Sequence, residues 1–89
     1  MDSLTCHCTT LHGGVAAHAA HRHPDEEIVI VREGTMEVTI EGVVQRGGAG
    51  SVFFFASNDL HGMRNAGEAT ASYYVIRMVT SATPKPTPP

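Results

Sequence analysis

The chain has 89 residues, 42% of them hydrophobic, and a formal net charge of −3 with histidine taken as neutral. This length predicts one domain with a small core, because a chain of this size buries only about 60–65% of its unfolded surface. Its one lysine, Lys85, lies near the C-terminal end, and the sequence offers no basic face of the kind that nucleic-acid binding requires.

The sequence also argues against a membrane location. No apolar run approaches the roughly 20 residues needed to cross a bilayer. The first residues, Met1 to Cys6, have neither the basic segment nor the apolar segment of a secretory signal. We therefore expect a cytoplasmic protein that has no membrane or nucleic-acid partner.

Short runs rich in Val, Ile, Thr, Phe and Tyr alternate with glycines, and no window shows helical periodicity. This pattern predicts an all-β barrel or sandwich. The predicted strands, in chain order, are 4–12, 15–23, 26–33, 36–40, 43–46, 51–55, 60–65 and 69–80. Glu41-Gly42 is predicted to be a tight hairpin turn. Residues 81–89 are Pro-rich and are predicted to form an extended, poorly ordered tail, which leaves residues 1–80 as the folded domain.

A group of metal-binding side chains is predicted around the second and third strands. His21 and His23 stand two residues apart, so in an extended segment both imidazoles point to the same face. Pro24-Asp25 is a turn signal, and it allows the Glu27 carboxylate to return to the same point. His61 supplies a fourth donor from further along the chain. Three neutral imidazoles and one carboxylate suit a divalent transition metal such as Mn, Fe, Co, Ni, Cu or Zn, and suit Ca or Mg poorly.

The same residues resemble the two sequence motifs of the cupin superfamily. The first motif is matched at His21, His23, Glu27 and Gly34, and the second at Gly50, Asn58, His61 and Asn65. The resemblance covers roughly residues 10 to 80. It implies a small jelly-roll barrel, also called a double-stranded β-helix, with one metal bound by His21, His23, Glu27 and His61. Glu26 competes with Glu27 as the acidic donor, and Glu27 is preferred because its spacing fits both the motif and the apolar alternation.

Three departures from the motifs fall at turns and remove no metal donor. The leading glycine of the first motif is one position early, at Gly14, and the turn proline of the second motif is Ala56. The turn glycine is replaced by Asn58. Asparagine is the non-glycine residue that best tolerates a positive φ, so we expect Asn58 to adopt one.

Alternation along the strands predicts what faces the metal. The predicted pocket consists of Met36, Val38, Met63, Asn65, Tyr74 and Ile76. Met78 shares the inward face of the last strand, whereas Arg22, Arg64 and Arg77 are predicted to point away. The expected pocket is therefore apolar, with no arginine or lysine to bind an anion, and it suits a small molecule.

Several strands are apolar on both faces. Ile28 and Ile30 oppose Val29 and Val31, and Phe53, Phe54 and Phe55 cannot all point inward. Tyr73, Val75 and Val79 likewise oppose the predicted inward set of the last strand. We expect this second apolar face to pack on another subunit as a two-fold homodimer.

The remaining candidate ligands lie outside these motifs. Cys6 and Cys8 are interpreted as half-buried strand residues, since free cysteine behaves as a small hydrophobe. A thiolate site with His7 or His12 is the alternative interpretation. His7, His12 and His18 are otherwise expected to be surface or strand residues, although His18 lies near the rim of the predicted pocket.

Three functions follow from these expectations. The first is a metal-dependent dioxygenase or oxidoreductase acting on a small, weakly polar substrate such as a flavonol, diketone or phenol, as the resemblance to short bacterial cupins implies. The second is a metal-dependent isomerase, lyase or decarboxylase. The third is a non-catalytic barrel that binds a small ligand. The cofactor in each case is one divalent transition metal, namely Mn, Fe, Ni, Cu or Zn.

Overall fold

Within residues 1–84, eight strands form two antiparallel four-stranded sheets that enclose one hydrophobic core. The computed structural model describes residues 1–84, except for the side chains of residues 17–19. The strands are β1 (Ser3–Leu11), β2 (Ala16–His21), β3 (Glu26–Glu33), β4 (Met36–Ile40), β5 (Val43–Gly47), β6 (Val52–Phe55), β7 (His61–Asn65) and β8 (Ala71–Val79). The first sheet has the order β1-β8-β3-β6 and the second the order β2-β7-β4-β5.

The predicted all-β jelly roll is confirmed. All eight strands lie where the sequence predicts them, and β3 and β4 have the predicted limits. Within residues 1–84 there is no helix long and apolar enough to span a bilayer.

The core lies between the two sheets and is built by alternation along the strands. In β3, Val29 and Val31 are fully buried, whereas Ile28 and Ile30 between them are only partly covered. The buried apolar side chains are Val29, Val31, Met36, Val38, Phe53, Phe55, Met63, Ala71, Tyr73 and Val75. Each large side chain buried in this way contributes about 1.5–3 kcal/mol, which matters in a domain this small.

Two predicted turns are confirmed by their backbone angles. Glu41 and Gly42 have φ values of 47° and 82° between the paired residues Ile40 and Val43. Positive φ at both central residues is the signature of the type I′ turn, whose twist matches that of the flanking strands. Asn58 has a φ of 62°, as its place in the motif predicts.

The predicted orientation of the last strand is wrong. Tyr73 and Val75 face the core, whereas Tyr74 is 39% exposed and Ile76 shares its outward face. Alternation could not choose between the two faces, because both faces of this strand are apolar. The pairing with β3 determines which face of β8 points to the core, because this pairing places Val75 opposite Val29 and Arg77 opposite Glu27.

The cysteines lie on an exposed edge strand. Cys6 and Cys8 are free and exposed, so the half-buried interpretation is wrong. Cys6 and Cys8 pair with Ile76 and Tyr74 on the outer face of the sheet, while His7 between them has the opposite orientation. Because alternate residues of a strand point to opposite faces, these thiols and His7 cannot converge on one ion. Among the described residues, the one group with metal-like spacing contains no cysteine, so the structure gives no support to a thiolate site with His12.

The start of the predicted tail is a turn and is not extended. The Thr83 backbone N–H donates to the Thr80 carbonyl at 3.0 Å, and the Thr83 hydroxyl accepts from the Thr80 N–H at 2.9 Å. Residues 85–89, the rest of that predicted tail, lie outside the described residues. The division into a domain of residues 1–80 and a tail of residues 81–89 stays a prediction.

Asn65 is fully buried and holds the turn after β7. Its amide group donates to the carbonyls of Leu11 at 3.1 Å and Ala69 at 2.7 Å, and its side-chain oxygen accepts from the Gly67 N–H at 3.0 Å. The side chain predicted to line the pocket therefore has its hydrogen-bonding capacity committed to the backbone.

We expect Asn65→Ala to destabilise the protein by about 3 kcal/mol. The substitution leaves buried backbone groups without partners, and each such group costs about 1–3 kcal/mol. Urea unfolding measures the loss. Asn58→Gly is the matched control, because it removes an asparagine from a position of positive φ and should leave stability nearly unchanged. Equal effects of the two substitutions would contradict the role assigned to Asn65.

Candidate metal centre

Three imidazoles converge at one end of the space between the sheets. His21 in β2 lies opposite His61 in β7, and His23 follows two residues after the end of β2. One ring nitrogen from each residue lies within 4.8 Å of the others. The ring centroids are 4.8–5.0 Å apart. Residues that are 40 positions apart in the sequence are therefore brought together with the spacing of metal ligands.

His61 is held in the orientation and tautomer that a metal ligand requires. Its Nδ1 lies 2.9 Å from the backbone carbonyl of Asp59. A carbonyl can only accept, so Nδ1 carries the proton and Nε2 keeps its lone pair. The ring is 1% exposed and stacks on Phe55, with centroids 4.4 Å apart and planes 13° apart. A hydrogen bond on the far nitrogen is the usual way in which a protein orients a metal-binding histidine, and the residues present thus fit a bound ion.

Glu27 adjoins this group on the side of His23. The carboxylate is almost fully buried, and its Oε1 lies 2.8 Å from His23 Nε2 and 3.0 Å from Arg77 Nε. Two donors that bind one ion at about 2.1 Å and at right angles lie about 3 Å apart. The spacing between Glu27 and His23 suits two neighbouring ligands. The tight cluster itself consists of the three imidazoles, and Glu27 as a fourth ligand stays a prediction.

Arg22, between the two histidines of the motif, connects the segment that carries His21 and His23 to the segment that carries His61 through hydrogen bonds on the outer surface. It points outward as predicted, and its Nη1 donates to Glu41 Oε1 at 2.6 Å and to the Asn58 carbonyl at 3.0 Å. The same Glu41 oxygen accepts from the Leu60 N–H at 2.7 Å, one residue before His61. These bonds, first that from Leu60 and then that from Arg22, lower the pKa of the Glu41 carboxyl.

We expect Arg22→Met to weaken metal binding about tenfold, because residues that support metal ligands typically contribute 10- to 100-fold. Stability should change little, since the ion pair is exposed and screened by solvent. Competition with a chelator measures the affinity. Arg46→Met is the control: it breaks the pair between Arg46 in β5 and Glu37 in β4, two strands that carry none of the proposed ligands. Equal affinity losses in both variants would contradict a specific role for Arg22.

A cavity of about 200 Å³ lies beside the imidazoles, on the inner face of β1 and β8. It is lined by His7, Thr9, Leu11, Glu27, Met63, Tyr73, Val75 and Arg77. Glu27 belongs to this lining and also touches His23, so the cavity adjoins the candidate metal centre directly.

The predicted pocket and this cavity share only Met63. Met36 and Val38 are fully buried and fill the core. Tyr74 and Ile76 have the outward orientation described above, and the Asn65 amide is bound to the backbone. The prediction that Arg77 points away is wrong, because Arg77 lines this cavity and pairs with Glu27. The substrate pocket itself stays a prediction.

Sequence reasoning missed His7, Tyr73 and Arg77 as residues of the site. A usable signal existed for Arg77, because a buried carboxylate needs a cationic partner and Arg77 is the one basic residue of the last strand. Nothing comparable marked Tyr73, whose inward orientation depends on the strand register. Burial raises the pKa of the Tyr73 hydroxyl, a hydrogen bond with Thr9 lowers it, and the Glu27 charge raises it further. Tyr73 thus stays a neutral hydrogen-bond donor at physiological pH.

The side chain of His18 lies outside the described part of the structure, so its role stays a prediction.

The chain is similar to several solved structures over most of its length. A cupin domain from Schizosaccharomyces pombe has a TM-score of 0.84 at 15% identity, with 90% of this chain and 58% of that chain covered. A predicted oxalate decarboxylase from Thermotoga maritima gives 0.79 at 21% identity, covering 84% and 65%. A DMSP lyase from Ruegeria pomeroyi gives 0.77 at 27% identity, covering 94% and 42%. The chain thus spans less than two thirds of the length of these three structures.

No curated protein matches the chain. The family model described as "Cupin domain" matches residues 7–77, which include both motifs and the three clustered histidines. The chain belongs to the cupin family.

Proposed function

We propose that this cupin is a metal-dependent enzyme for a small organic substrate. His21, His23 and His61, with Glu27 beside them, would hold one divalent transition metal, and the adjoining cavity would hold the substrate. The observation that carries the proposal is the convergence of three imidazoles, one of which is oriented by the hydrogen bond between its Nδ1 and the Asp59 carbonyl.

Dioxygenase or oxidase chemistry is the first candidate. Four protein donors leave about two positions open on a six-coordinate ion, and open positions are typical of catalytic metals. A redox-active Fe, Mn, Ni or Cu ion at these donors would supply electron transfer between the substrate and dioxygen. A substrate bound in this cavity would lie beside Glu27, which is part of its lining. Because the charged side chain of Arg77 lines the cavity, the cavity does not favour a weakly polar substrate.

Non-redox chemistry, as in a decarboxylase, lyase or isomerase, is the second candidate. Such reactions usually need a further proton donor or acceptor near the metal. The cavity offers the buried hydroxyl of Tyr73 and the imidazole of His7. The names of two similar structures, a predicted oxalate decarboxylase and a DMSP lyase, belong to the same class of reaction and support this candidate.

Reconstitution with single metals tests both candidates. Protein stripped of metal is loaded separately with Fe, Mn, Ni, Cu or Zn and incubated with catechols, flavonols and small organic acids. Oxygen uptake with a redox-active metal supports the first candidate. Product formation that persists without oxygen and with Zn supports the second. Failure to take up any of these metals would contradict the proposed function, and metal uptake without turnover of any compound would favour a non-catalytic binding protein.

We also propose that the protein is a homodimer through the outer face of the first sheet. The exposed apolar side chains on this face include Leu4, Val52, Phe54 and Tyr74. The register places Ile28 between Phe54 and Ile76, so that the apolar surface continues across the strands. A contiguous apolar patch of this kind is typical of an interaction site, and a two-fold dimer covers it with the same patch of a second copy.

Phe54→Asp is expected to convert the dimer to a monomer, because the substitution places a charge on the apolar face, next to Ile28 of the neighbouring strand. Sedimentation at micromolar concentration measures the change. Val44→Asp is the matched control, since Val44 is similarly exposed but lies in the second sheet, and this variant should remain dimeric. A wild-type protein that sediments only as a monomer would end the proposal.

A further inference from the structure

The cavity beside the candidate metal centre has a mixed lining that indicates what it binds. Its volume of about 200 Å³ corresponds to about seven waters at liquid density. Leu11, Met63 and Val75 form apolar walls, whereas Glu27 and Arg77 lie at the side nearest to His23. A ligand of this cavity therefore needs one polar end, directed toward Glu27 and Arg77, and one hydrocarbon end.

Arg77 retains donors that its ion pair does not use. Its Nε donates to Glu27 Oε1 at 3.0 Å, and its side chain is 42% exposed. Within the described part of the chain, neither Nη atom donates to a protein oxygen. A guanidinium presents its donors as a rigid fork that matches the two oxygens of a carboxylate, and the Nη atoms keep this capacity at the cavity.

The local charge favours an anion. Glu27 and Arg77 form an ion pair and cancel each other's charge, and the three clustered ligands are neutral when they bind a metal. A divalent cation held by them would leave two uncompensated positive charges next to a partly enclosed cavity. An anionic ligand would reduce this excess, whereas a neutral one would leave it in place.

The other polar groups of the lining are also compatible with an acidic ligand. The Tyr73 hydroxyl is hydrogen-bonded with Thr9 and stays protonated, and His7 lies on the same inner face of β1. Each of these groups can donate a hydrogen bond to an oxygen. Glu27, the one carboxylate in the lining, is already bound by Arg77 and His23, which limits its repulsion of a second carboxylate.

We propose that the cavity binds a small organic carboxylate, with the carboxylate on the Nη atoms of Arg77 and the hydrocarbon part against Leu11, Met63 and Val75. The inference rests on the proposed function in so far as this acid is the substrate. The proposed ligand is an organic acid, whereas the sequence predicted a weakly polar flavonol, diketone or phenol.

Calorimetric titration with benzoate and its neutral analogue benzamide tests the inference, because the two probes differ chiefly in charge. Both are titrated into metal-free and Zn-loaded protein, and the metal content is measured separately. We expect benzoate to bind at least about tenfold more tightly than benzamide, and more tightly to the Zn form. Arg77→Met should reduce benzoate affinity at least about tenfold and leave benzamide affinity unchanged.

Arg77→Lys keeps a cation opposite Glu27, so it remains informative if Arg77→Met fails to fold. It lacks the paired donors and should still weaken benzoate binding by at least about fivefold. Equal binding of the two probes, or unchanged benzoate affinity in a folded Arg77 variant, would overturn the inference. If the same protein still takes up a metal, that result leaves the proposed function intact. Benzoate binding that depends on Arg77 in a protein that takes up no metal would support the anion site and contradict the proposed function.

Discussion

Replacement of His61 by glutamine is expected to abolish tight binding of a transition metal. The three imidazoles are the core of the site, and His61 is the one whose Nε2 is fixed as an acceptor by the hydrogen bond from Nδ1 to the Asp59 carbonyl. A glutamine amide oxygen is a much weaker ligand for these ions than an imidazole. The loss of affinity should exceed the 10- to 100-fold typical of supporting residues, and competition with a chelator measures it.

The experiment needs a separate test of folding, because His61 is 1% exposed and stacks on Phe55. Circular dichroism should show an unchanged strand content, since glutamine fills most of the same volume and can donate to the Asp59 carbonyl. His12→Gln is the matched control, as His12 is exposed and lies outside the cluster. A folded His61→Gln protein that binds the metal as tightly as wild type would show that the proposed ligand set is wrong.

The clustering of the three histidines could be predicted because short-range geometry dictates most of it. His21 and His23 stand two residues apart in an extended segment, and this alone places their imidazoles on one face. The family motif supplied His61, which no local pattern connects to the other two. Glu27 lies between His23 and Arg77 in the structure, and its role as a fourth ligand stays a prediction.

The cavity could not be predicted, because its lining depends on sheet order and register. The sequence does not tell that β8 lies between β1 and β3, and therefore that Arg77 lies opposite Glu27. Since both faces of β8 are apolar, alternation gave the wrong face and turned Arg77 outward. A rule that a buried carboxylate requires a nearby cation would have corrected this error.

The second large effect is expected for Gly34→Ala, which should destabilise the protein by about 3 kcal/mol or more. Gly34 follows β3 and has a φ of 81°, a conformation that costs a side chain about 1–2 kcal/mol. A Cβ at this position would also lie 2.7 Å from the Cα and Cβ of Ala71 and 2.9 Å from the Thr70 carbonyl oxygen. β3 and β8 would have to move apart, and these strands carry Glu27 and Arg77.

Gly42→Ala separates the two contributions. Gly42 has nearly the same φ, 82°, but nothing lies within 4 Å of a Cβ added there. This variant should lose only the conformational cost of about 1–2 kcal/mol, and urea unfolding of both proteins measures the difference. Because that difference isolates the steric clash, equal destabilisation of the two variants would mean that β3 does not approach Ala71 as closely as the structure shows. A larger loss for Gly34→Ala, together with weaker metal binding, would connect the close packing of β3 on β8 to the geometry of the site.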